Sequence, residues 1–458
     1  MVAAVERSKI GTAEFPTSGR TFRASGSPGR SPTMVSKVGC RLKTKFGAHS
    51  VTPDFVGSST NADAKARSFQ GDLKGLLDRD PMEWRSVLDR RFEVLDEVLS
   101  GQRPALIYPA ARMGRRAAVR LTEAGVRVMA FGDSDPAVGG TVIDGLPVLT
   151  PSEIAARHRR DAILVSSTLF DSAICEDLRA RGCTAVIPVG YLNLRLPDIF
   201  SSREYQGSWA AATDIRNRPA IEKAYGLLGD TESQRVFIGK LAFYLTLDKE
   251  RLDDIKSEAT IYFDSTVYDV GVDEVAVDGG AFVGDTFRSF LDTCDDQFRS
   301  YFAFEPDPTN YATLLDLATS DPARLVAVKA GLARHTSSAR LLSSRGVDSR
   351  VLTDDEPGGV QIDVVSLDDY FDGRPSPTLI KMDIEGAEAE ALCGAARLLL
   401  QAPPVLAVSA YHFPTDLWTI PLLIQRLMPR SRLYLRHYTR EVDDTVCYAV
   451  PDNDARKR

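Results

Sequence analysis

No hydrophobic run in this chain approaches the roughly 20 residues that a helix needs to cross a bilayer, so a helical membrane span is not expected. Cysteine is scarce: the six residues at 40, 175, 183, 294, 393 and 447 form neither CxxC pairs nor a dense framework. That spacing argues against a zinc ribbon or a disulfide-stapled secreted fold, and a reducing, cytoplasmic location is expected. Basic charge is not in excess either. With 56 Lys and Arg against 63 Asp and Glu, the formal charge of -7 gives no reason to expect nucleic acid or an anionic membrane as the main partner. What remains is ordinary for a globular protein, at 43% hydrophobic and 26% charged residues, and 458 residues suffice for two medium domains with extensions.

Residues 1–66 are rich in Ser, Gly, Thr, Arg and Lys, poor in acids and without sustained periodicity, so a disordered leader is expected. Glu6, Glu14, Pro16 and several glycines interrupt any long amphipathic helix of the transit-peptide kind, and Met34 is an alternative start. A helical segment follows over 67–102. Asp80 and Pro81 give it a start signal, and Trp84, Val87, Leu88, Phe92, Leu95 and Val98 are spaced to form an apolar face. That face suits docking on the next domain, and equally a contact in a homo-oligomer.

The segment 103–200 reads as a smaller Rossmann-like α/β domain. Strands are expected near Ala105 to Tyr108, Arg127 to Phe131, Ala162 to Val165 and Ala185 to Pro188, with helices between. Its first turn, IYPAARMGR, carries Pro109 and Ala111 where a dinucleotide site wants glycines; only Gly114 remains. Proline lacks an amide donor and alanine adds a β-carbon, so a structural or acceptor-recognition role is expected in place of dinucleotide binding. A helical connector spans 201–261, with Phe237, Leu241, Phe243, Tyr244 and Leu245 suited to core packing or to roofing a pocket.

The most informative stretch is EVAVDGGAFVGDT, Glu274 to Thr286. An apolar strand runs into a turn with glycines at 279, 280 and 284, then into a helix whose free amides suit an anionic group. About twenty residues on, the strand Tyr301 to Phe304 ends in Glu305, where an α/β nucleotide site holds ribose hydroxyls. A third strand, Thr378 to Met382, runs into Asp383, Glu385 and Glu388.

VDGGAFVGDT, AFEPDP, VVSLDDY and LIKMDIEGAEAEAL, in this order, together with SAYHFPTDLWTIPLLIQ and LYLRHY, resemble the FkbM-type family of S-adenosylmethionine-dependent methyltransferases over about 262–458. The resemblance implies a doubly wound Rossmann-like catalytic domain. It also implies S-adenosyl-L-methionine as cofactor and methyl transfer to a hydroxyl oxygen of a carbohydrate or natural product, so a small-molecule or glycan acceptor is the expected partner. The alternatives are transfer to nitrogen or carboxylate, or a non-catalytic regulatory module that keeps the cofactor fold.

Under that resemblance, Asp278, Gly279, Gly280, Ala281 and Gly284 would hold the methionine end, with Asp278 facing its ammonium, and Glu305 would hold the ribose. Asp285 and Thr286 either touch the cofactor or cap the helix. His412, at a strand end, is a candidate base, since an unperturbed imidazole titrates near neutral pH; it would otherwise only bond a loop carbonyl. Asp383 and Glu385 are its rivals. They would accept the proton, orient His412, or bind a divalent cation such as magnesium. Glu388 reads as a first-turn helix residue, and Arg436 and His437 as acceptor contacts or buried strand residues. His49 and His158 are expected to be exposed, and His335 has no supporting constellation.

Overall fold

The computed structural model describes residues 71–201, 207–342, 350–351 and 358–452, all within one compact unit. The leader expected over 1–66, His49 and the question of Met34 lie outside the described residues. Asp80 caps the helix Pro81–Arg91 by accepting from the Met82 amide at 2.8 Å, as its sequence signal predicts. Leu88, Phe92, Leu95 and Val98 are buried in the main core. Phe92 packs on Tyr191 at a centroid distance of 4.6 Å, and the Tyr191 hydroxyl donates to Asp89 at 2.7 Å. The stripe is therefore packed into the core of the same chain. Val87 stands apart from it at 40% exposure, so the face is narrower than its spacing predicts.

The first sheet has six strands in the order Val142–Ile143, Leu146–Leu149, Val128–Gly132, Ala105–Tyr108, Ala162–Val165 and Val186–Ile187. Its two central strands, Ala105–Tyr108 and Ala162–Val165, are buried at every position, as strands covered on both faces must be. The chain reverses its direction of travel across the sheet between these two. The small hairpin Val142–Ile143 and Leu146–Leu149 has no counterpart in the sequence reading, because two- and four-residue strands leave almost no periodicity.

Among the described residues of the connector there are four helices, Ser208–Thr213, Arg218–Gly226, Thr231–Thr246 and Glu250–Asp253. Asp230 caps the third by accepting from the Ser233 amide at 2.7 Å. Phe237, Leu241, Phe243, Tyr244 and Leu245 all join the main core, and none borders the cavity described below.

The second large sheet has seven strands in the order Ser431–His437, Thr445–Pro451, Val405–Ser409, Leu379–Met382, Val275–Gly279, Ser300–Phe304 and Leu325–Val328. The last five are parallel and the first two form an antiparallel hairpin on the edge. The chain turns outward in opposite directions on either side of Val275–Gly279, which creates a crevice at the carboxyl ends of the central strands. Register brings Gly279 opposite both Met382 and Phe304 there. A four-stranded sheet over Gly331–Leu332, Val360–Val365, Ser337–Leu342 and Arg350–Val351 flanks this crevice and was not anticipated. Among the described residues, no helix is long and apolar enough to cross a membrane.

Candidate functional site

A cavity of about 510 Å³ opens at the carboxyl ends of the seven-stranded sheet. Its size falls in the range of small-molecule sites. One end is built by the glycine turn. Gly280 and Gly284 have φ of +75° and +81°, and a β-carbon on Gly280 would lie 1.9 Å from the Asp383 carbonyl oxygen. Only glycine lets the two strand-end loops approach so closely. The amides of Gly280 and Ala281 donate to the Phe304 carbonyl at 3.1 and 3.0 Å, which fixes the turn against the next strand.

Glu305 is 6% exposed at the end of that strand and borders the cavity. Its two oxygens accept from the amides of Phe282 and Asp307, both at 2.9 Å. Burial outweighs these two bonds and pushes its pKa up to about 7. Asp285 and Thr286 also border the cavity; Gly284 occupies the cap position of the helix Asp285–Cys294, and no side chain caps it. Asn310, Gly331, Leu332 and Leu341 complete this end, the last three from the small flanking sheet and its first strand.

Asp278 sits behind the turn and does not border the cavity. Its carboxylate pairs with the Lys381 ammonium at 2.8 Å and accepts from the Tyr301 hydroxyl at 2.8 Å. Lys381 does border the cavity, and it also donates to the carbonyls of Gly279 and Gly280 at 3.1 and 2.9 Å. Burial works against its charge, but Asp278 and Asp383 outweigh that and raise its pKa. Lys381 is a site residue that the local sequence pattern does not single out. A lysine inside the apolar strand LIKM was the available signal, since a buried ammonium requires a partner.

The other end gathers Asp383, Glu385, Tyr262, Tyr411, His412, Asp443 and Asp444. Asp383 accepts from the hydroxyls of Tyr262 at 2.7 Å and Tyr411 at 3.1 Å. The imidazole of His412, 4% exposed, has Nε2 3.4 Å from Asp383 and 3.9 Å from Glu385, with Nδ1 3.0 Å from Glu388. Burial alone would lower the pKa of His412, yet Glu388, Asp383 and Glu385 together raise it to about 10. This differs from the neutral-range imidazole expected from sequence, because three carboxylates surround it. Burial likewise pushes Asp383 up, but His412, Lys381 and Tyr262 outweigh it and hold the carboxyl below its ordinary range. Glu388 also accepts from the Ile384 amide at 2.8 Å. Asp383, Glu388 and His412 offer donor atoms within 4.8 Å of one another, a set that could hold a metal ion.

Tyr262, Phe282, Glu385 and Asp444 all border this cavity and all have positive φ, as do only four other non-glycine residues among those described. Backbone strain is thus concentrated here, as it is at many working sites. The wall bearing Val442, Asp443 and Asp444 is the loop of the edge hairpin, and the buried Lys240 ammonium donates to the Val442 carbonyl at 2.6 Å to hold it. Arg436 and His437 are turned away: Arg436 pairs with Asp230 at 2.7 Å, and His437 Nδ1 lies 2.9 Å from the Thr445 hydroxyl. His158 is partly buried and paired with Asp161 at 2.8 Å, which corrects its expected exposure.

Residues 278–442 match the family model described as the methyltransferase FkbM domain. The crystal structure of methyltransferase FkbM from Methylobacillus flagellatus KT is similar with a TM-score of 0.64 at 26% identity, over 84% of this chain and 99% of that one. That extent reaches well beyond the seven-stranded domain into the N-terminal half. Weaker likenesses include a precorrin-6y C5,15-methyltransferase from Geobacter metallireducens GS-15, at 12% identity over 41% of this chain and 85% of that one, TM-score 0.27. Another is Aeropyrum pernix fibrillarin in complex with natively bound S-adenosyl-L-methionine, at 10% identity over 40% of this chain and 69% of that one, TM-score 0.27. No curated protein matches the sequence.

Proposed function

Since its C-terminal domain belongs to the FkbM methyltransferase family, we propose that this chain transfers the methyl group of S-adenosylmethionine to a hydroxyl oxygen of a carbohydrate or polyketide-type natural product. The observation that carries the reading is one cavity with two chemically different ends. A glycine turn with a buried carboxylate, Glu305, makes one end, and an Asp383–tyrosine–histidine cluster makes the other.

When bound, the cofactor supplies a methyl group on a sulfonium, so that a C–O bond forms as the C–S bond breaks and its electron pair returns to sulfur. In this assignment Glu305 receives the ribose hydroxyls. Gly279, Gly280, Ala281 and Gly284 shape the methionine end, beside Asp285 and Thr286. Asp278 acts at one remove, holding Lys381, whose three donors go to Asp278 and to the carbonyls of Gly279 and Gly280 and so brace the glycine turn. Asp383 accepts the hydrogen bond of the acceptor hydroxyl and then its proton. A hydroxyl becomes strongly acidic as its oxygen gains a methyl group, so a carboxylate of low pKa suffices. Tyr262 and Tyr411 fix the orientation of Asp383. His412, charged, holds Asp383, Glu385 and Glu388 in place. The alternative is a divalent cation such as magnesium held by Asp383 and Glu385, which would supply positive charge to acidify the hydroxyl; the cluster whose donor atoms converge is Asp383, Glu388 and His412.

Six carboxylates border the cavity, Asp285, Glu305, Asp383, Glu385, Asp443 and Asp444. Their charge disfavours an anionic acceptor and so weighs against carboxyl methylation. Transfer to nitrogen is separated from transfer to oxygen by identifying the methylated atom in the product. The test is a screen of methyl acceptors with purified chain and isotope-labelled S-adenosylmethionine. Label transfer to a hydroxyl is expected; cofactor binding with no transfer to any acceptor class would favour a regulatory module that keeps the fold.

A further inference from the structure

The N-terminal sheet has its own crevice, between the ends of Ala105–Tyr108 and Ala162–Val165, where the chain reverses direction. The second of these strands leads into the loop 166–170, and Thr168 and Leu169 of that loop border the same cavity as Asp383 and His412. Leu169 and its neighbour Phe170 are 54% and 63% exposed. Leu169 at the cavity and Phe170 beside it in sequence are thus two large apolar side chains open to water, a cost that a ligand covering both can remove.

The loop is held in place from both sides. The Ser166 amide donates to the Tyr108 carbonyl at 2.6 Å, and the Phe170 amide to the Ser167 hydroxyl at 3.1 Å. The helix that follows, Asp171–Ala180, is tied to the catalytic domain by two ion-pair groups. Lys249 lies 3.4 Å from the buried Asp171 and also pairs with Glu441; Arg440 pairs with Glu176 at 2.9 Å. Glu441 and Arg440 belong to the hairpin loop whose Val442, Asp443 and Asp444 border the cavity. Two walls from different sheets are therefore fastened to each other beside the acidic end, one bearing carboxylates and the other Thr168 and Leu169, with Phe170 next to them in sequence.

We propose that the loop 166–170 is the acceptor-specificity element of this enzyme, and that the acceptor is amphiphilic, a hydroxyl-rich group at Asp383 joined to an apolar group that rests on Leu169 and Phe170. The proposal rests on the methyl-transfer reading, and it assigns acceptor recognition to a domain that carries no part of the cofactor site. The test uses the full chain saturated with S-adenosylhomocysteine and titrated calorimetrically with n-alkyl β-D-glucosides from methyl to octyl, each below its micelle concentration. Octyl glucoside is expected to bind about tenfold or more tightly than methyl glucoside, a fraction of what full burial of the added methylenes would give. In the double variant Leu169→Ser with Phe170→Ser, that gain should vanish while affinity for S-adenosylhomocysteine and the melting temperature stay unchanged. Restoring an apolar surface with Leu169→Met and Phe170→Leu should restore the gain. No gain with chain length in the parent protein, or a full gain in the serine variant, would overturn the proposal. Failure of the parent protein to bind S-adenosylhomocysteine would instead strike the methyl-transfer reading on which it rests.

Discussion

Gly280 and Asp383 approach so closely that a single methyl group on the glycine would sit 1.9 Å from the aspartate's carbonyl oxygen. The contact locks the glycine turn to the loop that carries Asp383, so the two ends of the cavity share one rigid joint. Gly280→Ala must push this joint apart and also place alanine at a φ of +75°. A loss of about 1–3 kcal/mol in unfolding free energy is expected, with weaker cofactor binding. Gly226, whose added β-carbon would meet nothing within 4 Å, is the control: Gly226→Ala should stabilise by about 0.4–1 kcal/mol. Urea denaturation measures both, and a Gly280→Ala protein as stable as its parent would refute the contact.

Burial pushes the pKa of Glu305 up to about 7, and in the proposed binding mode only its ionised form would accept hydrogen bonds from both ribose hydroxyls. Cofactor affinity should rise with pH through about 7 and fall by up to about tenfold per unit below it. Glu305→Gln should flatten that dependence, and Glu305→Ala should weaken binding by about 1.5–3 kcal/mol. Calorimetry at pH 6, 7 and 8 decides; identical affinities for parent and Glu305→Ala would remove Glu305 from the site.

Lys381 and Asp278 are both nearly inaccessible to solvent and 2.8 Å apart. Lys381→Met strands a buried carboxylate and should cost about 3–5 kcal/mol, whereas the double variant with Asp278→Asn should recover much of that loss. Equal stability of the single and double variants would show that the pair is not coupled.

With a pKa of about 10, His412 stays charged through neutral pH, so the parent enzyme's turnover should show no break near pH 6.5. Asp383→Asn should reduce turnover about 100-fold or more while sparing cofactor affinity. His412→Ala should also reduce it, with a residual rate insensitive to pH; a residual rate that climbs with pH, as hydroxide replaces a lost base, would make His412 the base after all. Chelation should leave transfer unchanged, because the proton on His412 already supplies the positive charge among these carboxylates. Activity lost to chelator and regained with magnesium would transfer the role to a cation on Asp383 and Glu385.

In the N-terminal sheet, the Ala110 amide donates to Asp133 at 3.0 Å, and a β-carbon on Gly114 would lie 2.2 Å from the Pro109 carbonyl oxygen. The strand-end acid and the first turn are thus engaged with each other. No saturable NADH fluorescence change that resists competition by S-adenosylhomocysteine is expected. Tight binding that survives that competition would reverse this view.

The parallel strands and the glycine turn were legible in the sequence because apolar runs, positive-φ glycines and a strand-end acid are each local signals. Glu305 was expected at the cavity from its spacing after the glycine turn and its place at the end of an apolar strand, and it borders the cavity. The pairing of Asp278 with Lys381 was not legible, since it joins residues about a hundred positions apart whose strands become neighbours only in the sheet. The same holds for Tyr262, Asp443 and Asp444, and for Thr168 and Leu169, which reach the cavity from the loop after a strand of the other large sheet. The charge state of His412 was hidden for a related reason: Glu388 reads as an ordinary helix residue until its carboxylate is seen 3.0 Å from the imidazole.

The cavity wall formed by Val442, Asp443 and Asp444 lies in the loop of an antiparallel edge hairpin, outside the five parallel strands. Hairpin loops at a sheet edge accept changes of length with little effect on the strands behind them. Residues can therefore be added to or removed from this loop without disturbing Gly280, Glu305 or Lys381. Under the proposed reading, the breadth of the acceptor would then be an adjustable dimension, set by a rim that can be rebuilt while the proposed seat of the methyl donor keeps its shape.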